Sequence, residues 1–126
     1  MKPPRLALGQ RSEHLARRFL EAQGWSTYAR NYRTPWGEID LVMWDGAVLV
    51  LVEVRARRSR AFGSPEESLT HRKRMHLLRS AQQVVHDLGF SGDWRVDLVT
   101  VSWEKGTPPI LTHFPAILEG DASMPR

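Results

Sequence analysis

With 126 residues, 41% of them hydrophobic and 25% charged, the chain holds enough apolar side chains for one domain with a real core, which excludes wholesale disorder. No apolar run reaches the roughly 18 residues of a membrane-spanning helix, residues 1–8 with their two prolines do not read as a secretory signal, and the absence of cysteine excludes disulfides and thiolate metal sites, in keeping with a reducing cytoplasm. The net charge of +4 comes from 15 arginines and 3 lysines against 14 acidic residues, which favours an anionic partner.

In chain order, Leu8 to Gln23 predict a helix: Leu8, Ser12, Leu15, Ala16, Phe19 and Leu20 share a face, and Gly24 supplies the stop. Trp25 to Tyr32 follow as a first strand. Ile39 to Trp44 and Val48 to Arg55 then form a hairpin about Asp45-Gly46. Residues 58–65, RSRAFGSP, read as a loop. Glu66 to Leu88 have helical spacing, with Leu69, Leu77, Ala81, Val84 and Leu88 inward and Gly89 at the end. Trp94 to Trp103 alternate as a strand. Ile110 to Phe114 allow a short edge strand, and residues 115–126 read as a frayed tail. The order α-β-β-β-α-β in a single domain, with its core over about residues 8–114, predicts an α/β fold: a mixed sheet flanked by helices.

Val48 to Val54, VLVLVEV, is apolar apart from Glu53, so it predicts a central strand covered on both faces. An ionised carboxylate there costs several kcal/mol unless it is paired or holds a metal. A two-residue loop at Asp45-Gly46 sets Asp40 opposite Leu51; a four-residue loop sets it opposite Glu53. In either register Asp40, Glu53 and Arg55 share a face. The two acids then lie roughly 5 to 8 Å apart, close enough to share one cation. Oxygen ligands favour magnesium or manganese. The alternative is a set of ion pairs with Arg55, Arg57 or Lys73. Glu13, at the edge of the first helix's apolar face, is a third acidic candidate.

Basic residues flank these acids. Arg55, Arg57, Arg58 and Arg60 follow Glu53, and Arg72, Lys73, Arg74 and Arg79 lie on the next helix. Two such clusters around one acidic site point to a phosphate backbone, although either alone reads as a solvated face.

The segments GEIDLV and, with Glu53 thirteen residues beyond Asp40, VEVRAR resemble the core of the PD-(D/E)xK nucleases. With GQRSEHLARRFLEAQGW, ARNYRTPWGEIDLV, FGSPEESL, RKRMHLLRSAQ and WRVDLVTV, the chain from about Gly9 to Val101 is similar to the bacterial YraN family of uncharacterised proteins. That resemblance implies a restriction-endonuclease-like fold of the Holliday-junction-resolvase branch. It also implies a magnesium- or manganese-dependent DNA endonuclease acting on branched DNA, and it is compatible with a homodimer. By position, Asp40 and Glu53 match the motif acids and Glu13 the helical acid of resolvase-like members. Arg55 stands where the motif has lysine. Guanidinium stays charged and cannot serve as a base, though it can bind phosphate and stabilise developing charge. Lys73, placed by the helical wheel between Leu69 and Leu77 on the sheet-facing stripe, is the substitute amine, or else a lysine snorkelling at the core margin. In the implied mechanism Asp40, Glu53 and the Val54 carbonyl hold the metal and Glu13 orients water. Arg57, Arg58, Arg60, Arg72 and Arg74 contact DNA, and RSRAFGSPEE lies along its backbone. Glu67 reads as a helix-start residue.

Other chemistries have less support. The histidines at 14, 71, 76, 86 and 113 form no i, i+4 pair, and the glycines at 37, 46, 63, 89 and 92 are isolated turn formers rather than a phosphate loop. Trp36, Trp44, Trp94 and Trp103 can stack on bases or pack at strand ends. Asp97 is a further buried-acid candidate with an arginine as partner. Three classes follow: an active structure-specific nuclease, a catalytically impaired nuclease fold that binds branched DNA, and a protein-interaction module, which leaves the acidic face unexplained.

Overall fold

A computed structural model describes residues 7–58 and 69–121. The elements are α1 (Ala7–Glu21), β1 (Ser26–Thr34), β2 (Gly37–Asp45), β3 (Val48–Arg57), α2 (His71–Asp87), β4 (Asp93–Ser102) and β5 (Ile110–Asp121). On α1 the buried face is Ser12, Ala16 and Leu20, spaced by four, while Phe19, expected to share it, is 36% exposed. Both helices end alike. Gly24 (φ +97°) and Gly89 (φ +60°) turn the chain into the left-handed region. Their N–H groups bond Glu21 and His86, and the next residues, Trp25 and Phe90, reach back to Leu20 and Val85. These paired bonds form Schellman motifs, which a side chain beyond Cα would strain.

The hairpin between β2 and β3 turns on Gly46-Ala47 instead of Asp45-Gly46, because Asp45 pairs with Val48. Gly46 has φ +59° and Ala47 does not share the positive sign, the pattern of a type II′ turn with glycine first. This one-residue difference selects the register that sets Asp40 across from Glu53.

The five strands lie in the order β1-β2-β3-β4-β5. All pairs are antiparallel except β3 with β4, which run parallel because α2 carries the chain back between them. Leu49 and Leu51 join Leu77, Ala81 and Val84 in a cluster under α2. Val50 and Val52 join Ala16 and Leu20 in a second cluster under α1. Coverage on both faces explains why VLVLV is continuously apolar, and the arrangement is the restriction-endonuclease-like mixed sheet that the sequence implies.

Two boundaries differ from expectation. α2 begins at His71, with Thr70 as its cap accepting the Lys73 N–H at 3.2 Å; residues 66–68, assigned to this helix from sequence, lie outside the described residues. The supposed tail from residue 115 instead continues β5 to Asp121. Pro115-Ala116 forms a bulge, with Ala116 at φ +54° and its N–H donated to Asp97 Oδ1 at 2.9 Å. Leu118 then pairs with Val96, and Ile117 and Leu118 pack on the α2 cluster. An edge strand tolerates Pro115 at such a bulge.

Candidate active site

Pairing between β2 and β3 runs from Asp45↔Val48 to Leu41↔Val52 and stops, although both strands continue. At the next position Asp40 stands across from Glu53. Its carboxylate takes the place of a ladder partner, with Oδ2 accepting the Val54 N–H at 2.7 Å. In an extended strand the N–H and C=O of one residue point to the same edge, so the Val54 carbonyl also faces Asp40.

An irregularity aims Asp40. Ile39 packs under α2 and Leu41 under α1, whereas strict alternation would put them on one face. The neighbouring strand turns over at the same level: Ala29 and Tyr32, three residues apart, both pack on the α2 cluster, and Asn31 between them has φ +52°. Asparagine is among the few residues that tolerate this conformation. Asn31 Nδ2 donates to Glu13 Oε2 at 3.0 Å, bringing the α1 acid to the site. The sequence reading missed Asn31; its signal was an asparagine within a strand.

The three carboxyls act on one another. Asp40 is pushed up to about 8 by burial and then by Glu53, against the Val54 hydrogen bond that favours its charge. Burial also raises Glu53, opposed by its hydrogen bond with Asp40 and by Arg55 and Lys73. Glu13 is raised by burial and by Asp40 and Glu38, with Asn31 opposing. Two carboxyls that hydrogen-bond each other require a proton or another cation between them. Arg55, beyond Glu53 on the same strand, has a buried Nε with no hydrogen-bond partner among the described residues.

Among the described residues, no three His, Cys, Asp or Glu side chains are grouped to hold a metal ion. The donor set here is smaller, two carboxylates plus the Val54 carbonyl, with Glu13 interacting with Asp40. Oxygen donors and a surplus of buried acid suit a hard divalent cation. By donor chemistry the residues fit magnesium or manganese.

The profile of the Uncharacterised protein family UPF0102 matches residues 12–101, a span that includes Glu13, Asp40, Glu53, Arg55 and Lys73. The chain belongs to this family. It is 40% identical to a UPF0102 protein of Herpetosiphon aurantiacus over 122 residues, 93% of this chain and 98% of the relative. A UPF0102 protein of Anaeromyxobacter dehalogenans is 42% identical over 118 residues, 93% of this chain and 87% of the relative. Another from Desulfosudis oleivorans is 42% identical over 106 residues, 83% and 86% of the two chains.

Lys73 is exposed in the first turn of α2, not within the buried stripe, which comprises Leu77, Ser80, Ala81, Val84 and Val85. It lies one turn ahead of Leu77, and its charge still reaches Glu53. Glu53 thus senses residues of both helices, which cover opposite faces of the sheet. Arg58 and Arg72 are exposed; Arg57 and Arg74 are half-buried, with Arg74 Nε donating to the Leu69 carbonyl at 3.2 Å. Arg60, Glu67 and the rest of the RSRAFGSPEE segment beyond Arg58 lie outside the described residues.

Asp97 belongs elsewhere. Fully buried, it accepts from Arg95 Nε at 3.0 Å and the Ala116 N–H at 2.9 Å, and bonds His113 Nε2 at 2.7 Å. Burial would raise its pKa, but these bonds outweigh burial and hold it below the usual value. It fastens the β5 bulge to β4. Of the tryptophans, Trp94 is buried, Trp44 meets Phe90 edge-on, and Trp103 donates Nε1–H to Ser12 Oγ at 2.9 Å. Trp36 is exposed.

Among the described residues, no helix is long and apolar enough to cross a membrane.

Proposed function

We propose that this protein is a metal-dependent endonuclease that hydrolyses phosphodiester bonds of branched or otherwise structured DNA. The observation that carries the reading is the Asp40–Glu53 pair, two half-buried acids facing each other where the ladder ends, with Asp40 raised to about 8. A fold gains little stability from such a pair, whereas a divalent cation gives it a purpose.

Asp40, Glu53 and the Val54 carbonyl would hold magnesium or manganese, which when bound supplies activated water and neutralises developing charge. Glu13, fixed by Asn31 and raised in pKa, orients the attacking water and takes up its proton. Arg55, its buried Nε without a partner among the described residues, binds a nonbridging oxygen of the scissile phosphate. Lys73 adds positive charge within electrostatic reach of Glu53. Arg57, Arg58, Arg60, Arg72 and Arg74 hold the flanking backbone, which places the duplex without reading its sequence.

One observation favours a second reading. Position 55 carries arginine where a motif lysine would stand, so the fold can bind branched DNA with cleavage impaired. Linear, flapped and four-way DNA incubated with magnesium, manganese or EDTA decides between them. The nuclease reading expects metal-dependent products that disappear in Asp40→Asn and Glu53→Gln. Binding without products in wild type leaves the second.

A further inference from the structure

We infer that Trp36 is a stacking platform for the terminal base pair exposed at a DNA branch, and that it, rather than the acidic cluster, selects branched over continuous duplex. This deepens the proposed function and rests on its DNA substrate.

Pro35 and Trp36 form the two-residue turn between β1 and β2, closed by the Thr34↔Gly37 pair. Trp36 is 43% exposed, the most exposed of the five tryptophans, all of which lie among the described residues. An indole on a flexible tip would lose entropy on binding, but this turn is already fixed. The Trp36 N–H donates to Thr34 Oγ1 at 3.1 Å, and that hydroxyl bonds the Gly37 carbonyl at 2.7 Å and Ser80 Oγ at 3.0 Å. The turn is thereby tied to α2.

Arg79 of α2 covers one face of the indole, its guanidinium carbon 4.7 Å from the ring centroid. A ring this exposed, with a cation already over one face, is prepared for a second π-face, and the adjoining charge suits a phosphate. Arg33 lies on the same hairpin, with Glu38 across from it offsetting one charge. Every base pair has an apolar face, but continuous duplex hides it in the stack. A branch or strand end exposes it, so stacking discriminates shape without reading sequence. Asp40 lies four residues beyond Trp36, at most about 13 Å of extended chain. At about 3.4 Å per base step, the platform lies within about four steps of the acids.

The test is binding in EDTA, with no cleavage required. A four-way DNA carrying 2-aminopurine at the branch-point pair is titrated with wild type, Trp36→Ala, Trp36→Leu and Trp36→Tyr, alongside a covalently closed circular duplex. We expect wild type and Trp36→Tyr to change the 2-aminopurine fluorescence and to prefer the branched form. Trp36→Ala and Trp36→Leu should lose that change and about tenfold or more of the branched-form affinity, with circle affinity within about twofold of wild type. Trp36→Leu keeps apolar bulk on Arg79 and carries the comparison should Trp36→Ala fold poorly. Equal loss on both DNAs, or retention of branch preference and fluorescence change without the ring, overturns the platform while leaving the nuclease reading in place. Wild type that binds neither DNA overturns both.

Discussion

Asp40 faces Glu53 at the first position past the end of the β2–β3 ladder, and its carboxylate accepts the Val54 N–H at 2.7 Å. The strands would otherwise leave that donor unpaired, so one side chain both ends the ladder and gathers acidic charge. A divalent ion should therefore bind here and stabilise the fold. Magnesium or manganese should raise the melting temperature of wild type by binding the native state. In Asp40→Ala, Glu53→Ala the shift should vanish. Equal calorimetric binding by both proteins would remove the site.

The same pair sets a pH dependence. Asp40 titrates at about 8 in the folded chain against an ordinary 3.8, so the native state keeps a proton that the unfolded state releases. That contribution is fully present below about 3.8 and is lost as pH rises toward about 8. In EDTA, urea stability should fall across this window, and Asp40→Asn should flatten the decline. Metal competes with the proton, so apparent metal affinity should rise over the same interval. A pH-independent affinity between 5 and 8 would contradict the assignment.

Asp97 gives the opposite sign. Held below its ordinary 3.8 by His113, Ala116 and Arg95 against the effect of burial, it stabilises the fold above 3.8 and loses that contribution as pH falls through its folded value. Asp97→Ala should cost about 3 kcal/mol, the low end for breaking a buried pair, since Arg95 keeps Asp45 at 3.3 Å. Urea denaturation measures the loss. Metal affinity should stay unchanged, which separates this cluster from the active site.

How far the sequence carried this reading depends on which physics decided each part. VLVLVEV and the acids around it were legible because burial and period-two alternation are local. The hairpin register was not: two turns fitted, and Gly46 chose between them through a positive φ visible only in the backbone. Nor was the turnover at Asn31 and Asp40, since it needs two strands to break alternation together. Residues 115–126 read as a frayed tail, although β5 runs on to Asp121 past a bulge whose Ala116 N–H the buried Asp97 carboxylate accepts. The helical angle places Lys73 on the stripe, but the buried stripe of α2 begins only at Leu77 and Lys73 is exposed.

The arginine surface makes a separate prediction. Roughly three to six phosphate contacts would make the logarithm of duplex affinity fall by close to 0.9 per contact for each tenfold rise in salt. Neutralising Arg57, Arg58 and Arg60 should flatten that slope by about two to three contacts' worth, measured by fluorescence anisotropy. Substituting Arg17 and Arg18 on α1 should leave it unchanged. Salt-independent binding would count against the surface.

Arg55 separates the active enzyme from the impaired one. Its guanidinium stays charged and cannot take a proton, so an active site must place that duty on Glu13 or on water in the field of a metal. Lys73 reaches Glu53 electrostatically from the exposed first turn of α2. If it supplies phosphate neutralisation, wild type should cut DNA and Lys73→Ala should lose about tenfold or more, some 1.4 kcal/mol of transition-state stabilisation. If arginine has disabled the site, wild type should bind without cutting, and Arg55→Lys should restore cleavage by a similar factor. The position permits that rescue, because an amine there would lie beside Glu53 and remove the buried Nε that has no partner among the described residues. Single-turnover cleavage with manganese reads both variants. Inactivity of wild type and Arg55→Lys on every DNA form, with Asp40→Ala binding DNA as wild type does, would end the nuclease reading and leave the fold standing.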